Sequence, residues 1–513
     1  MNIKKWTILE NITIDRLGFG GVWISKLSNG KVILIKWWLP WSIVDCKVVK
    51  NKKDYLETHI VHIHKVDPVL VSETPRCPHF QSPYAHDSEL PVHKQWCWWC
   101  KRQWISYEKQ CSLKEKIVYD AFKITETDRF DFYPIIPSPL QYYYRNKIEF
   151  SFGKFMQRKP KERNNSDDNQ WFLINEQRNL WFHKQWEFSK VISVDQCHLI
   201  SSEMHTVFKK IHDDLYNAWL PVYDVKKQNW LLRHVVLREW VRTGQIMVNI
   251  SLASKYFEED TKSEQIRKQV LSSWKEDKRF TKVVTTCVLT HNNWLWDNVQ
   301  WPDATLETIW WPWHIFEWLQ FPSVDLIRFQ ISPFSFFQTN THWAELLFAR
   351  AKKMIWTVQW NIIDLYCGSW SIGLSFLRQS VWKHVYWIDI VPSAIEDAQK
   401  NAIINGLQAQ ATFFCGKAEK LLQEWIISNQ CFVWNDLIVI DPPRQWLHKE
   451  VVKFLWTIKK NHNDHRLLYI SCNPVTMARD CLGLMKEWYK IQALQPVDMF
   501  PHTHHIETIW LLS

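Results

Sequence analysis

Near the C-terminus an apolar run, Leu467 to Ile470, is followed by Ser471-Cys472-Asn473-Pro474. A short apolar run bounded by a turn signal reads as a buried strand, and Asn-Pro stops it abruptly, which delivers the Cys472 thiol where the backbone turns. At the carboxyl end of a strand in an open parallel sheet such a thiol can face a ligand and act as a nucleophile. Cysteine is also among the most buried residue types, so the same position suits inert packing. A second group is Cys77-Pro78-His79-Phe80, Cys97-Trp98-Trp99-Cys100 and the distant Asp195-Gln196-Cys197. Cys-x-x-Cys brings two thiolates to one metal or cluster and two more cysteines close a four-ligand shell; zinc, a redox pair and an iron–sulfur cluster all fit that spacing. His502, His504 and His505 read as a polar loop rather than a metal site, since no placed carboxylate or cysteine accompanies them.

The elements that must position these groups lie in the last third. Ile362 to Gly373 reads as a buried strand, a Gly-containing turn and a helix start; a second strand ends in Asp389, followed by a helix over 393–404. A carboxylate at that strand end can accept hydrogen bonds from both hydroxyls of a ribose. A third strand, Leu437 to Ile440, delivers Asp441-Pro442-Pro443-Arg444. This order suits a Rossmann-like S-adenosylmethionine fold rather than a dinucleotide enzyme, which needs its tight glycine fingerprint before the helix. Upstream, Phe336-Phe337-Gln338-Thr339-Asn340 precedes a helix over 344–354.

Residues 1–65 alternate strand-like runs with turns at Gly18 to Gly21 and Ser28-Asn29-Gly30, the pattern of a small barrel. They carry 11 Lys/Arg against 5 Asp/Glu, more than half of the chain's net charge of +10. A basic barrel suits RNA, although charge alone licenses only non-specific attraction, and an ordinary solvated face reads the same way. From about 113 to 330 the pattern is mixed α/β, with a helix over 113–123, a strand over 144–150 whose Arg145 and Lys147 could grip phosphate, and a polar loop over 164–169. The 513 residues carry no apolar run near the roughly 20 that a membrane span needs and no signal-peptide pattern, and the expectation is a cytoplasmic protein with 12 cysteines as thiols rather than disulfides.

One feature of the composition is abnormal: 35 Trp against 11 Gly, where about 7% Gly is usual. Trp37, Trp38 and Trp41 around Leu39-Pro40, Trp98-Trp99 between cysteines, Trp310-Trp311-Pro312-Trp313, and Trp370 after Gly368-Ser369 all occupy places that want glycine. The expectation is that many of these Trp are glycine in the living protein, through a codon, plausibly UGA, that the source organism assigns to Gly.

Taken together, Phe337-Gln338-Thr339-Asn340, Asp364-Leu365-Tyr366-Cys367-Gly368, Asp441-Pro442-Pro443-Arg444, Ser471-Cys472-Asn473-Pro474 and Pro496 to Thr503 with His505-Ile506-Glu507 resemble, in order, the RNA uracil-C5 methyltransferases. The stretch from Asp15 to Pro40 resembles that family's TRAM domain, an OB-like RNA-binding barrel, and Leu180 to Lys184, Leu231 to His234, Val236 to Arg238 and Met247 to Ile250 resemble its central domain. With 96, 98 and 99 as glycine, the Cys-x-x-Cys segment resembles the family's [4Fe–4S] site, except that 19 residues separate Cys77 from Cys97 where about five are usual.

The resemblance implies an α/β chain of four parts: an OB-like barrel (1–65), an iron–sulfur segment (66–125), a central α+β RNA-binding domain with the fourth cysteine (126–328), and a Rossmann-like methyltransferase domain (329–513). Carried over, Cys472 is the nucleophile and Glu507 the base, Gln338, Tyr366, Asp389 and Asp441 line the S-adenosyl-L-methionine site, and Cys77, Cys97, Cys100 and Cys197 hold the [4Fe–4S] cluster. The implied partner is RNA, 23S ribosomal before transfer, met by a monomer. Two other readings stay open: a catalytically silent RNA-binding protein, and a methyltransferase for another substrate, which needs no thiol.

Overall fold

The computed structural model describes residues 3–36, 43–65, 73–80, 97, 99–123, 130–159, 172–184, 187–192, 196–224, 227–229, 231–257, 260–294, 304–310, 312–321, 324–355, 361–368, 372–378, 384–428, 437–442, 447–461, 465–486 and 489–513. Trp37, Trp38, Trp41, Trp96, Trp98, Trp311, Trp370, Asp195, Pro443, Arg444 and the expected loop at 164–169 lie outside them.

Strands β1 (Ile8–Thr13), β2 (Arg16–Leu17), β3 (Trp23–Lys26), β4 (Val32–Ile35), β5 (Ile43–Asn51) and β6 (Tyr55–Lys65) form one sheet in the order β1-β5-β6-β4-β3-β2. Only β4 and β6 run parallel. Alternation in β5 buries Val44, Cys46 and Val48 on one face, as a half-buried strand requires. The two ends of that order, β1 and β2, are separated in the chain only by Ile14 and Asp15, and the Asp15 N–H donates to the Ile24 carbonyl at 2.9 Å, so one bent segment pairs with β5 and then with β3 and the sheet curls back on itself in the manner of the expected small barrel.

The middle of the chain adds α1 (Tyr107–Phe122), β7 (Asp131–Phe132), β8 (Lys147–Lys159), β9 (Phe172–Trp181), β10 (His183–Lys184), β11 (Glu187–Val191) and α2 (Ser202–Asn217). It continues with β12 (Leu232–Glu239), β13 (Ile246–Leu252), α3 (Thr261–Glu276), α4 (Lys278–Val283), β14 (Val284–His291), β15 (Thr305–Trp310) and a hairpin of β16 (Ile315–Phe321) and β17 (Val324–Ile331). A second six-stranded sheet has the order β15-β14-β13-β12-β8-β9. Trp310 does not make a turn; it ends β15 opposite Cys287, beside an irregularity in the register.

The last third holds α5 (Thr341–Ile355), β18 (Ile362–Leu365), α6 (Ile372–Arg378), β19 (Val385–Asp389), α7 (Pro392–Ile404), β20 (Ala411–Cys415) and α8 (Ala418–Ser428). After these come β21 (Leu437–Ile440), α9 (Lys449–Asn461), β22 (Arg466–Ser471), α10 (Pro474–Met485), β23 (Ile491–Val497) and β24 (Glu507–Leu512). Their sheet runs β20-β19-β18-β21-β22-β24-β23-β7, parallel from β20 to β22. Buried on both faces, the central strands read as continuous apolar runs. Ile362, Leu437, Val439 and Leu468 face one core with α5 and α6, while Ile363, Ile438, Ile440 and Leu467 face the other with α9 and α10.

Two segments depart from the expected partition. β7, placed by sequence in the central domain, pairs with β23 and covers that edge of the C-terminal sheet. Helix α1, placed with the iron–sulfur segment, is shared: Leu113 and Ile117 join the core under the N-terminal sheet, and Val118 and Phe122 join the core of the C-terminal sheet.

Candidate active site

Five of the six residues expected to act in catalysis or cofactor binding stand along one edge of the C-terminal sheet. In a parallel sheet every strand's carboxyl end points the same way, so Asp389 ends β19, Tyr366 follows β18, Asp441 follows β21 and Cys472 follows β22. β24 runs antiparallel to β22, which brings its first residue, Glu507, to that same edge. Four steps between neighbouring strands, about 4.8 Å each, make the row roughly 19 Å long. The chain order reverses between β18 and β21, the switch point at which open α/β sheets leave a crevice.

Backbone geometry keeps the turn after β18 tight. Tyr366 and Gly368 both have positive φ, 61° and 64°. The Gly368 N–H donates to one oxygen of Asp389 at 2.8 Å and the Val391 N–H to the other at 2.8 Å, so the carboxylate is fixed while each oxygen keeps a lone pair for a further donor. Gly373 opens the next helix with its N–H on buried Asp364 at 3.1 Å. A Cβ at 373 would lie 2.8 Å from the Trp387 indole nitrogen and 3.0 Å from Asp364, so only glycine fits as packed.

The last register pair of β22 and β24 is Ser471 with Thr508, so Cys472, in the bend that follows β22, and Glu507, the first residue of β24, each lie one residue from that pair at the same edge. Both residues are half-buried at the crevice. Gln338 lies on a different element, just before α5, where Asn146 holds the backbone: its side chain donates to the Gln338 carbonyl at 3.0 Å, and its N–H to the Thr339 carbonyl at 2.9 Å. Asn340 caps α5 and donates to the Met499 carbonyl, tying Gln338 to the loop before Glu507.

Electrostatics separates the carboxylates. Burial, with Asp364 nearby, pushes Asp441 up to about 7, so it holds a proton in the folded protein well above the usual carboxylate range. Burial pushes the Tyr366 phenol up to about 12, with Glu419 adding to it.

Cys77, Cys97, Cys100 and Cys197 line a single pocket with Phe80, Trp99, Tyr142, Trp181 and Leu199. The long gap between the first two is closed locally: Phe80 bridges to Cys97, and the Cys97 N–H donates to the His79 carbonyl at 2.9 Å. Gln103 accepts from the Cys77 N–H at 3.0 Å. Burial raises the Cys100 thiol well above its ordinary range, reinforced by Cys197, Cys97 and Cys77, and raises Cys197 to about 11. Among the described residues no three His, Cys, Asp or Glu are gathered closely enough to hold a metal ion. Arg145 and Lys147 are half-buried, with the Arg145 guanidinium over the Trp99 ring at 4.8 Å and Lys147 lowered to about 7 by burial.

Several residues of the site are not singled out by sequence. Asp364 and Asn340 sit inside quoted motifs but carry their roles through backbone contacts that no motif displays. Gln110 and Lys114 are buried polar residues one helical turn apart on the packed face of α1, and that i, i+4 polar pair within an apolar stripe was the available signal. His502 belongs to no open polar loop: it is buried, and burial lowers it to about 4.

Residues 315–513 match the family model described as tRNA (Uracil-5-)-methyltransferase. A protein of Halalkalibacterium halodurans described as an uncharacterized RNA methyltransferase is 30% identical over 514 residues, covering 100% of this chain and 98% of its own. One of Bacteroides thetaiotaomicron with the same description is 29% identical over 489 residues, 94% of this chain and 97% of that one. Among solved structures, the tRNA (uracil-54, C5)-methyltransferase of Pyrococcus abyssi in complex with S-adenosyl-L-homocysteine is similar with a TM-score of 0.63 at 22% identity, covering 98% of this chain and all of that one. That likeness extends the shared fold over the whole length.

The raised Asp441 fixes a pH dependence. Its folded value of about 7 exceeds its ordinary 3.8, so the folded chain binds the extra proton between those values and stability falls as pH rises from about 4 through about 7. Asp441→Asn is expected to remove that fall: urea midpoints measured at intervals from pH 4 to 8 should stay flatter than in the wild type, with the variant ahead at pH 8.

Proposed function

We propose that this chain, which belongs to the RNA methyltransferases of the tRNA (uracil-5-)-methyltransferase type, methylates C5 of a uridine in RNA from S-adenosyl-L-methionine through a covalent bond to Cys472. The observation that carries the reading is that a thiol and a carboxylate, Cys472 and Glu507, each stand one residue from the Ser471–Thr508 register pair at the carboxyl edge of the parallel strands. No helix among the described residues is long and apolar enough to cross a membrane.

The residue types answer to the chemistry. C5 of uracil is a poor nucleophile; addition of the Cys472 thiolate to C6 moves the ring's electron pair into an enolate, and C5 then takes the methyl group as the donor's carbon–sulfur bond breaks. S-adenosyl-L-homocysteine leaves. Glu507 removes the C5 proton, the ring's double bond re-forms, and the sulfur–C6 bond breaks to return the thiolate. Asp389 suits the ribose hydroxyls of the donor, the Tyr366–Gly368 turn its close backbone approach, and Gln338 and Asp441 the two sides of the reacting groups. The target base must leave its stack to enter the crevice, and the basic N-terminal sheet, read as a TRAM-type barrel, would hold the RNA around it. Ribosomal RNA is the first class to examine and transfer RNA the second.

Four thiols line one pocket, with aromatic groups and with Gln103, Gln196 and His198, and we read them as the ligand set of an iron–sulfur cluster, for which they would have to draw closer than they stand as packed. Cys77, Cys97, Cys100 and Cys197 would hold it, and since the reaction transfers no electron, it would fix this segment in place rather than carry charge.

RNA containing 5-fluorouridine cannot lose its C5 substituent as a proton, so it should form a denaturation-stable adduct with the protein in the presence of the methyl donor, and Cys472→Ala should abolish it. Donor binding without any adduct would reject the thiol mechanism. Protein purified without oxygen should carry iron and acid-labile sulfide with visible absorption, and Cys100→Ser should lose all three; a colourless, iron-free wild type would remove the cluster from the scheme.

A further inference from the structure

The loop between β23 and β24 is held in an unusual way. Its four consecutive carbonyls at 499–502 each accept from a different part of the chain: Met499 from the Asn340 side chain at 3.1 Å, Phe500 from Lys114 Nζ at 3.0 Å, Pro501 from the Tyr144 hydroxyl at 3.2 Å, and His502 from the Arg102 N–H at 3.0 Å. Lys114 also pairs with Asp498 at 2.6 Å, and both side chains are fully buried. Gln110, one turn earlier on α1, donates from Nε2 to His502 Nδ1 at 3.1 Å and accepts the His502 N–H at 2.9 Å. His502 itself has φ +63°, a conformation that a non-glycine residue keeps only where its surroundings over-determine it.

Such an arrangement is poor value as a source of stability. A buried ion pair is commonly no more stabilising than a well-packed apolar pair, and the second oxygen of Asp498 is buried with no donor among the described residues. Its location gives it another use. Asp498 directly follows Val497, and Val497 is the strand partner of Glu507.

We propose that the Lys114–Asp498 ion pair and the Gln110–His502 double hydrogen bond are positioning devices for Glu507, holding the hairpin loop so that the carboxylate meets the C5 proton. The inference rests on the function proposed above. Glu507 acts after the methyl group has been transferred, so a loosened loop slows only the last step. The same loop is read by the cysteine-lined pocket, because the Tyr142 ring lines that pocket and stacks on His502 at 4.4 Å. Arg102, two residues beyond Cys100, holds the His502 carbonyl.

The test uses ordinary uridine RNA with a methyl-labelled donor. The double variant K114M/D498M keeps the volume apolar and removes both the ion pair and the donor to Phe500; Gln110→Leu is the second variant. Each should accumulate a methyl-labelled covalent protein–RNA complex, as Glu507→Gln would, with kcat lowered on the order of 100-fold and KM for RNA little changed. Loss of adduct and turnover together in soluble, folded variants, or wild-type turnover in both, would overturn the assignment. If the wild type forms no adduct with 5-fluorouridine RNA, the covalent reading itself fails first, and this inference with it.

A different observation carries a second inference. Trp219 follows the Ala218 cap of α2 with φ +57°, its side chain 70% exposed, and Trp6 has φ +75°. The position after a helix cap in the left-handed region is the one that glycine fills most often. Elsewhere the indole N–H groups of Trp181, Trp240, Trp343, Trp387 and Trp510 are buried and meet no acceptor among the described residues, whereas buried indoles ordinarily find one. We infer that a codon written here as Trp is read as Gly where this protein is made, at 219 and 6 among other positions. Peptide mass spectrometry of natively made protein decides it: glycine at 219 and 6 supports the reassignment, and tryptophan at either position overturns it there. In protein produced with Trp, Trp219→Gly should raise the thermal midpoint; a lowered midpoint would show that the indole belongs.

Discussion

The direction of one strand governs the site. Five parallel strands alone would present only strand ends and the turns after them at the crevice, and a carboxylate beside Cys472 would have to come from a loop. Because β24 returns antiparallel beside β22, its first residue arrives at the edge where β22 finishes, and the Ser471–Thr508 backbone pair anchors the chain next to both Cys472 and Glu507. A slip of one residue would turn every side chain of β24 to the opposite face. The burial of Ile509, Trp510, Leu511 and Leu512 on the two faces of the sheet makes such a slip costly.

A second constraint lies in α1. Its residues reach three neighbourhoods at once: the core beneath the N-terminal sheet, the core of the C-terminal sheet, and the polar loop at 498–503. Its buried face spans Gln110, Cys111, Leu113, Lys114, Ile117, Val118 and Phe122, while Glu108, Ser112, Lys116 and Tyr119 form an exposed stripe, so it is an amphipathic strut between the two sheets. The N-terminal sheet is therefore packed, through this strut, against the machinery that carries the chemistry, and Gln110 and Lys114 are the polar exceptions where the strut meets backbone carbonyls.

Much of this was legible in the residues. Leu437–Ile440 and the run ending at Cys472 are unbroken apolar stretches with turn signals after them, so their strands and strand ends could be read directly. The joining of Cys77 to Cys97 could not, because a bridge between Phe80 and Cys97 is a long-range pairing that local pattern does not encode. The expected barrel was read from the spacing of strands and turns, but that spacing does not show that a single bent segment, β1 with β2, pairs with both β5 and β3. His502 was misread as part of an open loop because histidines written in a row look solvated; only the packing of Tyr142, Gln110 and Lys114 around the ring shows otherwise. Buried charge is invisible to patterning, which treats Lys114 and Asp498 as surface residues.

The bridge between Phe80 and Cys97 has a wider meaning. Because the chain leaves at Phe80 and returns at Cys97, and the Cys97 N–H donates to the His79 carbonyl, the closure entropy of the stretch between them grows only slowly with its length, so lengthening it need not move the thiols on either side. Spacing between the first and second cysteine is then a poor criterion for recognising such chains, and this junction is a natural point for grafting a foreign segment onto the molecule.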